Sequence, residues 1–367
     1  MSRIVLFGAT GYTGDLTARE MVRRGMTPVL AARNPQRLQV LADALGGLET
    51  RTADVGDPAS VRALVAKGDV LVSTVGPFLR WGDPAIEAAI GAGAHYLDST
   101  GEGPFIRRVF EEYGPRAERA GVGLLTAMGY DWVPGNLAGA LALREAGPEA
   151  RRVELAYFNT GATSASSMSG GTRASAAGVA IEPGYTFAGG RIVGERGAKR
   201  LQNFEISPGR SRPAVSVGSS EQFALPRLRP ELLEVDTYLG WFGPASRPLQ
   251  AFSAAGAVMT MVPGVKSGMQ SLMGRLVSGS SGGPDAAARA PSRALVLARV
   301  FDAGGRELTS VRLEGPNGYD LTAGFIAWGA ETALAGGLQG TGALGPVDGF
   351  GLDVLESAAA GYGLKRG

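Results

Sequence analysis

The chain has no cysteine, and His95 is its single histidine among 367 residues. The first absence excludes disulfides, thiolate metal sites and a cysteine nucleophile. The second leaves any Ser-His-Asp triad dependent on His95 and rules out a multi-histidine metal site, so no metal is expected. A charge excess is also missing: 36 Lys and Arg against 34 Asp and Glu leave a net charge of +2. With no basic run interleaved with aromatics, a nucleic-acid partner is not expected. No charged-then-apolar signal segment stands before the first strand, so a soluble cytoplasmic protein is the expectation. Arginine far outnumbers lysine, which reads as genomic base composition. The 44% hydrophobic content supplies a sizeable core, and the length implies two domains.

What is present begins at once. Arg3-Ile4-Val5-Leu6-Phe7 runs into Gly8-Ala9-Thr10-Gly11-Tyr12-Thr13-Gly14, an apolar strand followed by three glycines spaced G-x-x-G-x-x-G. Glycines let the backbone approach a pyrophosphate, and a helix starting near Tyr12 to Asp15 offers it unpaired N–H groups and a positive dipole end. The strand before and the amphipathic segment after distinguish this from a bare glycine-rich turn.

Up to about residue 127 short apolar strands alternate with helices. Strands are expected at Ile4–Phe7, Pro28–Ala32, Glu49–Ala53, Asp69–Thr74, His95–Asp98 and Val122–Thr126, with helices at Leu16–Arg24, Pro35–Leu45, Pro58–Ala66, Pro84–Ala92 and Phe105–Arg119. That rhythm predicts an α/β fold, a Rossmann-type doubly wound parallel sheet. Gly129-Tyr130-Asp131-Trp132-Val133-Pro134-Gly135-Asn136 reads as a hinge, followed by a helix to about Leu143 and a strand at Val153–Phe158. Ser169-Gly170-Gly171-Thr172 precedes an expected helix from Arg173 to Val179, and residues 181–250 show few periodic runs. Ala294–Phe301 and Glu307–Leu313 read as a hairpin, and two helices follow at Leu321–Leu334 and Gly349–Ala360. The expected division is a dinucleotide domain over 1–134, a second α+β domain over 135–315, and C-terminal helices over 316–367 returning to the first domain.

At the end of the second strand, where an NAD-binding domain carries an acid for the ribose diol, stands Arg33, with Arg37 one turn on. A guanidinium suits a 2′-phosphate, so NADP(H) is favoured over NAD. Asp54 suits the adenine amino group or a cap on the helix near Asp57-Pro58, with neither favoured. Gly76 and Pro77 leave the fourth strand at the end where the nicotinamide half is expected. His95 begins its strand at the opposite end and reads as structural. Asp98, Ser99, Thr100, Gly101 and Glu102 lie at the functional end, and Asp131 follows the next strand. Asp131, Tyr130 and Ser99 are the candidate catalytic residues.

The cradle, Val75-Gly76-Pro77-Phe78, Tyr96-Leu97-Asp98-Ser99-Thr100-Gly101-Glu102, the Gly129–Pro134 motif and Ser169-Gly170-Gly171-Thr172 occur in order. Together they resemble the saccharopine dehydrogenase-like oxidoreductases, on the bacterial branch containing the trans-acting enoyl reductases. Gly283-Pro284 through Arg289 and Tyr319-Asp320-Leu321-Thr322 extend the resemblance over nearly the whole chain. It implies NADP(H) and a second domain closing over the nicotinamide. Gly8, Thr10, Gly11, Tyr12, Thr13 and Gly14 would hold the pyrophosphate, Arg33 the 2′-phosphate, and Gly76 and Pro77 the nicotinamide ribose. Trp132 and Asn136 depart from the pattern, replacing a small polar residue and an acid, which points to a less acidic, more apolar cleft.

A saccharopine-type substrate would need placed cations, for which Arg173, Arg196, Lys199, Arg200, Arg210 and Arg212 are available, although such residues are more often surface charge. Against it stands the uncharged run Ala251–Val265, continued by Met269, Leu272 and Met273 after Lys266. It is too short and too broken to span a bilayer. It reads as a core helix, a methionine-lined wall for an acyl chain, or, over 251–273, a peripheral membrane contact. With Trp132, Trp241 and Phe242 it favours reduction of an activated C=C bond in an apolar or carrier-tethered substrate. Reduction of a C=N bond and a non-catalytic NADP-binding sensor are the alternatives. The absence of a Tyr-x-x-x-Lys pair argues against short-chain alcohol dehydrogenase chemistry. A homodimer is compatible with the sequence.

Overall fold

In the computed structural model, residues 2–161, 182–259 and 282–367 are described. Their strands, in chain order, are β1 (Ile4–Phe7), β2 (Val29–Ala32), β3 (Thr50–Thr52), β4 (Val70–Ser73), β5 (His95–Asp98), β6 (Gly123–Leu125), β7 (Arg152–Gly161) and β8 (Pro183–Ala188). They continue as β9 (Arg191–Arg196), β10 (Leu201–Ser207), β11 (Arg210–Val217), β12 (Glu234–Leu239), β13 (Ser292–Phe301), β14 (Glu307–Gly315), β15 (Gly342–Ala343) and β16 (Lys365–Arg366). The chain divides into two units, Met1–Leu137 with Pro316–Leu364, and Ala138–Gly315 with Lys365–Gly367.

The first unit is a seven-stranded parallel sheet ordered β15-β6-β5-β4-β1-β2-β3. Its central strands, β1, β2 and β4, are four-residue runs buried throughout, as strands covered on both faces must be. Their neighbours are helices with local start signals. Asn34 caps Pro35–Ala44 through the Arg37 amide, with proline pre-set at the first helical position. Asp57 does the same for Pro58–Arg62. Tyr12–Arg23 packs along Gly318–Leu334, and Arg24 fastens the pair by donating to Glu331 Oε2 at 2.9 Å and to the Tyr362 hydroxyl at 2.8 Å.

The first unit departs from the sequence expectation in several places, among them the helix after β5 and the edge of the sheet. Phe105–Arg119 is not one α-helix: a π turn at Val109–Tyr113 separates Gly103–Arg108 from Gly114–Ala120. Pro115 has no N–H to offer the Glu111 carbonyl, so the i→i−4 ladder cannot run through it. The sheet also gains a seventh strand at Gly342–Ala343, in a segment that reads as a glycine-rich turn. Gly342 N donates to Val122 O at 2.8 Å and Leu344 N to Leu124 O at 2.9 Å.

The second unit is a nine-stranded mixed sheet, with the path β10-β11-β12-β7-β13-β14-β16 and β8 and β9 beside it. β7 and β12 are parallel; β13 lies antiparallel to both β7 and β14. The β13–β14 hairpin turns on Asp302, whose Oδ1 accepts from the amides of Gly304 and Arg306 at 2.9 and 3.0 Å. Phe158, Phe204, Ile206, Tyr238 and Leu295 cluster on its apolar face. Each such buried side chain contributes about 1.5–3 kcal/mol. The strands β8 to β12 occupy the region where periodicity placed nothing. The last residues correct the expected return of the C-terminal segment: Lys365 and Arg366 pair with β14, so only Pro316–Leu364 rejoins the parallel sheet.

Candidate functional site

The site is built where β1 ends. Gly8 sits at φ +91° and donates to Ala31 O at 2.8 Å, and Gly11 N closes back on Gly8 O at 2.9 Å. A Cβ on Gly14 would lie 2.2 Å from Gly8 O, and one on Gly8 would lie 2.7 Å from Thr74 Oγ1, so these two glycines have no room for a side chain. The helix Tyr12–Arg23 begins at Gly11, which has no side chain to cap it. Its first N–H groups therefore keep their positive end for an outside anion. The turn fits a dinucleotide pyrophosphate on these grounds. Thr74 Oγ1 donates to the carbonyls of Phe7 and Gly8, tying the exit of β4 to the turn.

Arg33 stands exposed just past β2, with no hydrogen bond or ion pair among the described residues. Its neighbour Arg37 reaches Thr10 O at 3.3 Å, bracing the cradle. Asp54 is exposed after β3 and closes its own turn by accepting from Gly56 N at 2.8 Å, while the helix cap falls to Asp57. Gly76 is exposed at the exit of β4, and the Gly76–Pro77 and Asp131–Trp132 peptides are cis.

The carboxylates at the carboxyl ends of the strands are divided by burial. Asp98 is fully buried; its Oδ1 accepts from Thr100 N and Ala127 N at 2.9 Å each, and its Oδ2 from Thr126 Oγ1 at 2.9 Å. Burial pushes its carboxyl up to about 6 against these bonds. Glu102 accepts from Phe78 N at 2.8 Å and Leu79 N at 2.9 Å; burial raises its carboxyl and the two amides oppose that. Both carboxylates therefore hold backbone that shapes the site. Asp131 is half-buried, and the place of a Cβ on Gly101 is 3.1 Å from its Oδ2, so glycine there is what admits the carboxylate. Ser99 is half-buried in the same loop. Tyr130 is buried and its amide donates to Thr322 Oγ1 at 2.9 Å. The structure thus gathers Asp131 and Ser99 with the Asp98–Glu102 loop, while Tyr130 faces the start of the helix Gly318–Leu334.

His95 is the structural residue its position implied: Nδ1 accepts from Gly123 N at 3.0 Å, and burial lowers its pKa. Trp132 and Asn136 are both buried, and Asn136 Nδ2 donates to Trp132 O at 2.9 Å, so they act through packing rather than as an exposed apolar lining. In the second unit the arginines offered as carboxylate binders are largely committed. Arg200 pairs with Glu195 and Asp236 at 2.9 and 2.7 Å, Arg196 donates to Ser253 Oγ and several carbonyls, and Arg212 donates to Asn159 O and Gly240 O. Lys199 lies 3.4 Å from Glu195, and Arg210 is exposed. Arg173, the Ser169–Thr172 motif and the apolar run beyond residue 259 fall outside the described residues; Ala251–Met259 belongs to the helix Ser246–Met259. Among the described residues no helix is long and apolar enough to cross a membrane, and no group of three or more His, Cys, Asp or Glu could hold a metal ion.

Two features have a place in the structure that the sequence does not assign. The Asn317–Thr322 turn lies beside the cradle, and its signal was the Asn-Gly before an apolar helix. The other is a buried pair, Tyr157 and Glu221, which only the pairing of distant strands brings together.

Residues 4–125 match the family described as saccharopine dehydrogenase NADP binding domain. A putative trans-acting enoyl reductase of Mycobacterium tuberculosis is 38% identical over 179 residues, which cover 47% of this chain and 42% of that protein. A trans-acting enoyl reductase of Mycobacterium ulcerans is 37% identical over 140 residues, covering 36% of this chain and 34% of its own. The matches therefore span less than half of these curated relatives. Apo saccharopine dehydrogenase (L-Glu forming) from Saccharomyces cerevisiae superposes with a TM-score of 0.61 over 100% of this chain and 99% of that one, at 15% identity. Residues 4–125 are thus similar to the saccharopine dehydrogenase NADP-binding domain, in a chain that has the fold of saccharopine dehydrogenase.

Proposed function

We propose that the protein is an NADPH-dependent reductase that saturates an activated C=C bond of an apolar, enoyl-type substrate. The observation that carries the cofactor half is the Gly8–Gly14 turn, where Gly8 and Gly14 have no room for a side chain, followed by Arg33, which is exposed and has no partner among the described residues. NADPH, when bound, supplies a hydride. The chain's part is to hold the pyrophosphate on Gly8, Thr10, Gly11, Tyr12, Thr13 and Gly14, and the 2′-phosphate on Arg33. Asp54 faces the adenosine end, and Gly76 and Pro77 flank the nicotinamide ribose. A hydride added at the β-carbon leaves the α-carbon to take a proton, and Asp131, with Tyr130 and Ser99 nearby, is proposed to hold it. The second unit is taken as the substrate-binding part.

The enoyl reading is supported by the commitment of Arg196, Arg200 and Arg212 to internal partners, which among the described residues of the second unit leaves few placed cations for a polycarboxylate amino-acid substrate. Relatives named trans-acting enoyl reductases agree with it. The test compares NADPH oxidation with medium-chain enoyl thioesters against oxidation with keto acid and amine pairs. Turnover of the thioesters alone is expected. Turnover of the imine-forming pairs alone would transfer the assignment to C=N reduction, and NADPH binding without any consumption would leave a sensor.

A further inference from the structure

The pyrophosphate turn has few side chains of its own to hold it in shape. Three of its seven residues are glycine, whose backbone freedom must be removed for the turn to be ready for a ligand. Backbone bonds to Ala31 and the Thr74 hydroxyl fix its first half. In the second half the one large side chain is Tyr12, at the first position of the helix. Its ring meets the ring of Tyr319 edge-on, with centroids 5.1 Å apart and planes at 88°. That is the favoured geometry for two aromatic quadrupoles.

Tyr319 is itself held. Asn317 caps the helix Gly318–Leu334, its Oδ1 accepting from the amides of Tyr319 and Asp320 at 3.1 and 3.0 Å, and its Nδ2 donates to Asp320 Oδ2 at 2.7 Å. The same turn touches the loop of the candidate proton donors. Thr322 Oγ1 accepts from Tyr130 N at 2.9 Å and donates to Gly318 O at 2.8 Å. Gly318 faces the Tyr130 ring so closely that a Cβ would lie 2.6 Å from it. One turn near the C-terminal end of the chain therefore grips both the cradle after β1 and the Tyr130–Asp131 loop after β6.

We propose that Tyr319 is a cofactor-positioning residue: by clamping Tyr12 it fixes the Gly11–Gly14 half of the pyrophosphate turn, so the dinucleotide site is completed by the C-terminal segment. The inference rests on the NADP(H) reading of the cradle. Tyr319 acts through Tyr12 on the part of the ligand common to NADPH and NADH, whereas Arg33 acts on the 2′-phosphate alone.

The experiment is fluorescence titration of the full chain with NADPH and with NADH, alongside its thermal unfolding without nucleotide. Tyr319→Ala is expected to weaken both nucleotides by a common factor, roughly two- to tenfold, for loss of an edge-to-face pair. The NADPH-to-NADH preference should be unchanged, and Tyr319→Phe should bind as the unmodified chain does. Tyr12→Ala should give a similar loss, and the double variant should bind no worse than either single one. Should Tyr319→Ala fail to fold, Tyr319→Leu is read by the same criteria. A lower unfolding temperature with unchanged nucleotide affinity, or fully additive losses, would overturn the clamp. If the unmodified chain binds neither nucleotide, the cofactor reading itself fails.

Discussion

Tyr157 donates a 2.5 Å hydrogen bond to Glu221 Oε1 in the interior of the mixed-sheet unit, where both side chains are fully buried. Burial dominates the carboxyl and pushes it up to about 7, with the Tyr157 hydroxyl opposing the shift. An unfolded glutamate titrates near 4.5, so between those values the folded chain holds a proton that the unfolded chain has released. Glu221 therefore contributes stability that is complete below pH ~4.5 and lost as pH rises through about 7. Glu221→Gln, which cannot ionise, should unfold at a higher temperature relative to the unmodified chain at pH 8 than at pH 5. The difference has an upper bound of about 3 kcal/mol. Parallel unfolding curves across that range would show that the carboxyl ionises freely in the fold.

An exposed guanidinium with no partner among the described residues costs the fold almost nothing to remove, so Arg33→Ala should leave the unfolding temperature within error. NADPH affinity should fall about 10- to 100-fold, the value of one or two hydrogen bonds to a charged group, while NADH affinity stays put. Added salt should shrink the NADPH advantage of the unmodified chain, because the contact is open to solvent. Equal titrations with both nucleotides before the substitution would remove the argument for a 2′-phosphate site.

Gly14→Ala tests the cradle sterically. Its Cβ would lie 2.2 Å from Gly8 O and 2.9 Å from Ala9 Cα, backbone atoms that cannot swing aside as a side chain would. The turn must open, and NADPH and NADH binding should both drop below detection while circular dichroism retains the α/β spectrum. Retained binding would mean that the turn is not where the phosphates sit.

What could be read from the sequence follows how local each determinant is. The cradle was legible because strand, glycines and helix are consecutive, and Arg33 because its offset from them is fixed by one βαβ unit. The strands β10 and β11 were not found, although Pro208-Gly209 stands between them and only Phe204 and Ile206 are buried in the first. The remaining positions of β10 are mostly polar, and β11 ends in the continuously buried run Ala214–Val217, so neither shows a clear alternation. β15 was missed because two residues, one of them glycine, carry no strand signal and pair only through the neighbouring β6. In the site, the sequence places Asp98 and Glu102 only at the functional end of their strand. Their real work is set by amides of Ala127, Phe78 and Leu79, which are brought to them by sheet pairing rather than by sequence spacing.

Asp98 allows the structural and chemical roles to be separated. Its Oδ1 takes two amides, and its Oδ2 faces the Thr126 hydroxyl, which can turn to accept as readily as to donate. Asparagine can therefore keep all three contacts, with Oδ1 toward the amides and Nδ2 toward Thr126. Alanine leaves the Thr100 and Ala127 amides buried and unmatched, at about 1–3 kcal/mol each. Because burial raises this carboxyl to about 6, the folded chain favours the neutral form, and the aspartate loses stability as pH rises from its unfolded value near 4 through 6. Asp98→Asn should thus match or exceed the stability of the unmodified chain above pH 7 and lose that advantage toward pH 4. Asp98→Ala should be destabilised at every pH. If asparagine proved as damaging as alanine at pH 8, the negative charge itself would be required, and Asp98 would join Asp131 among the candidates for handling the proton.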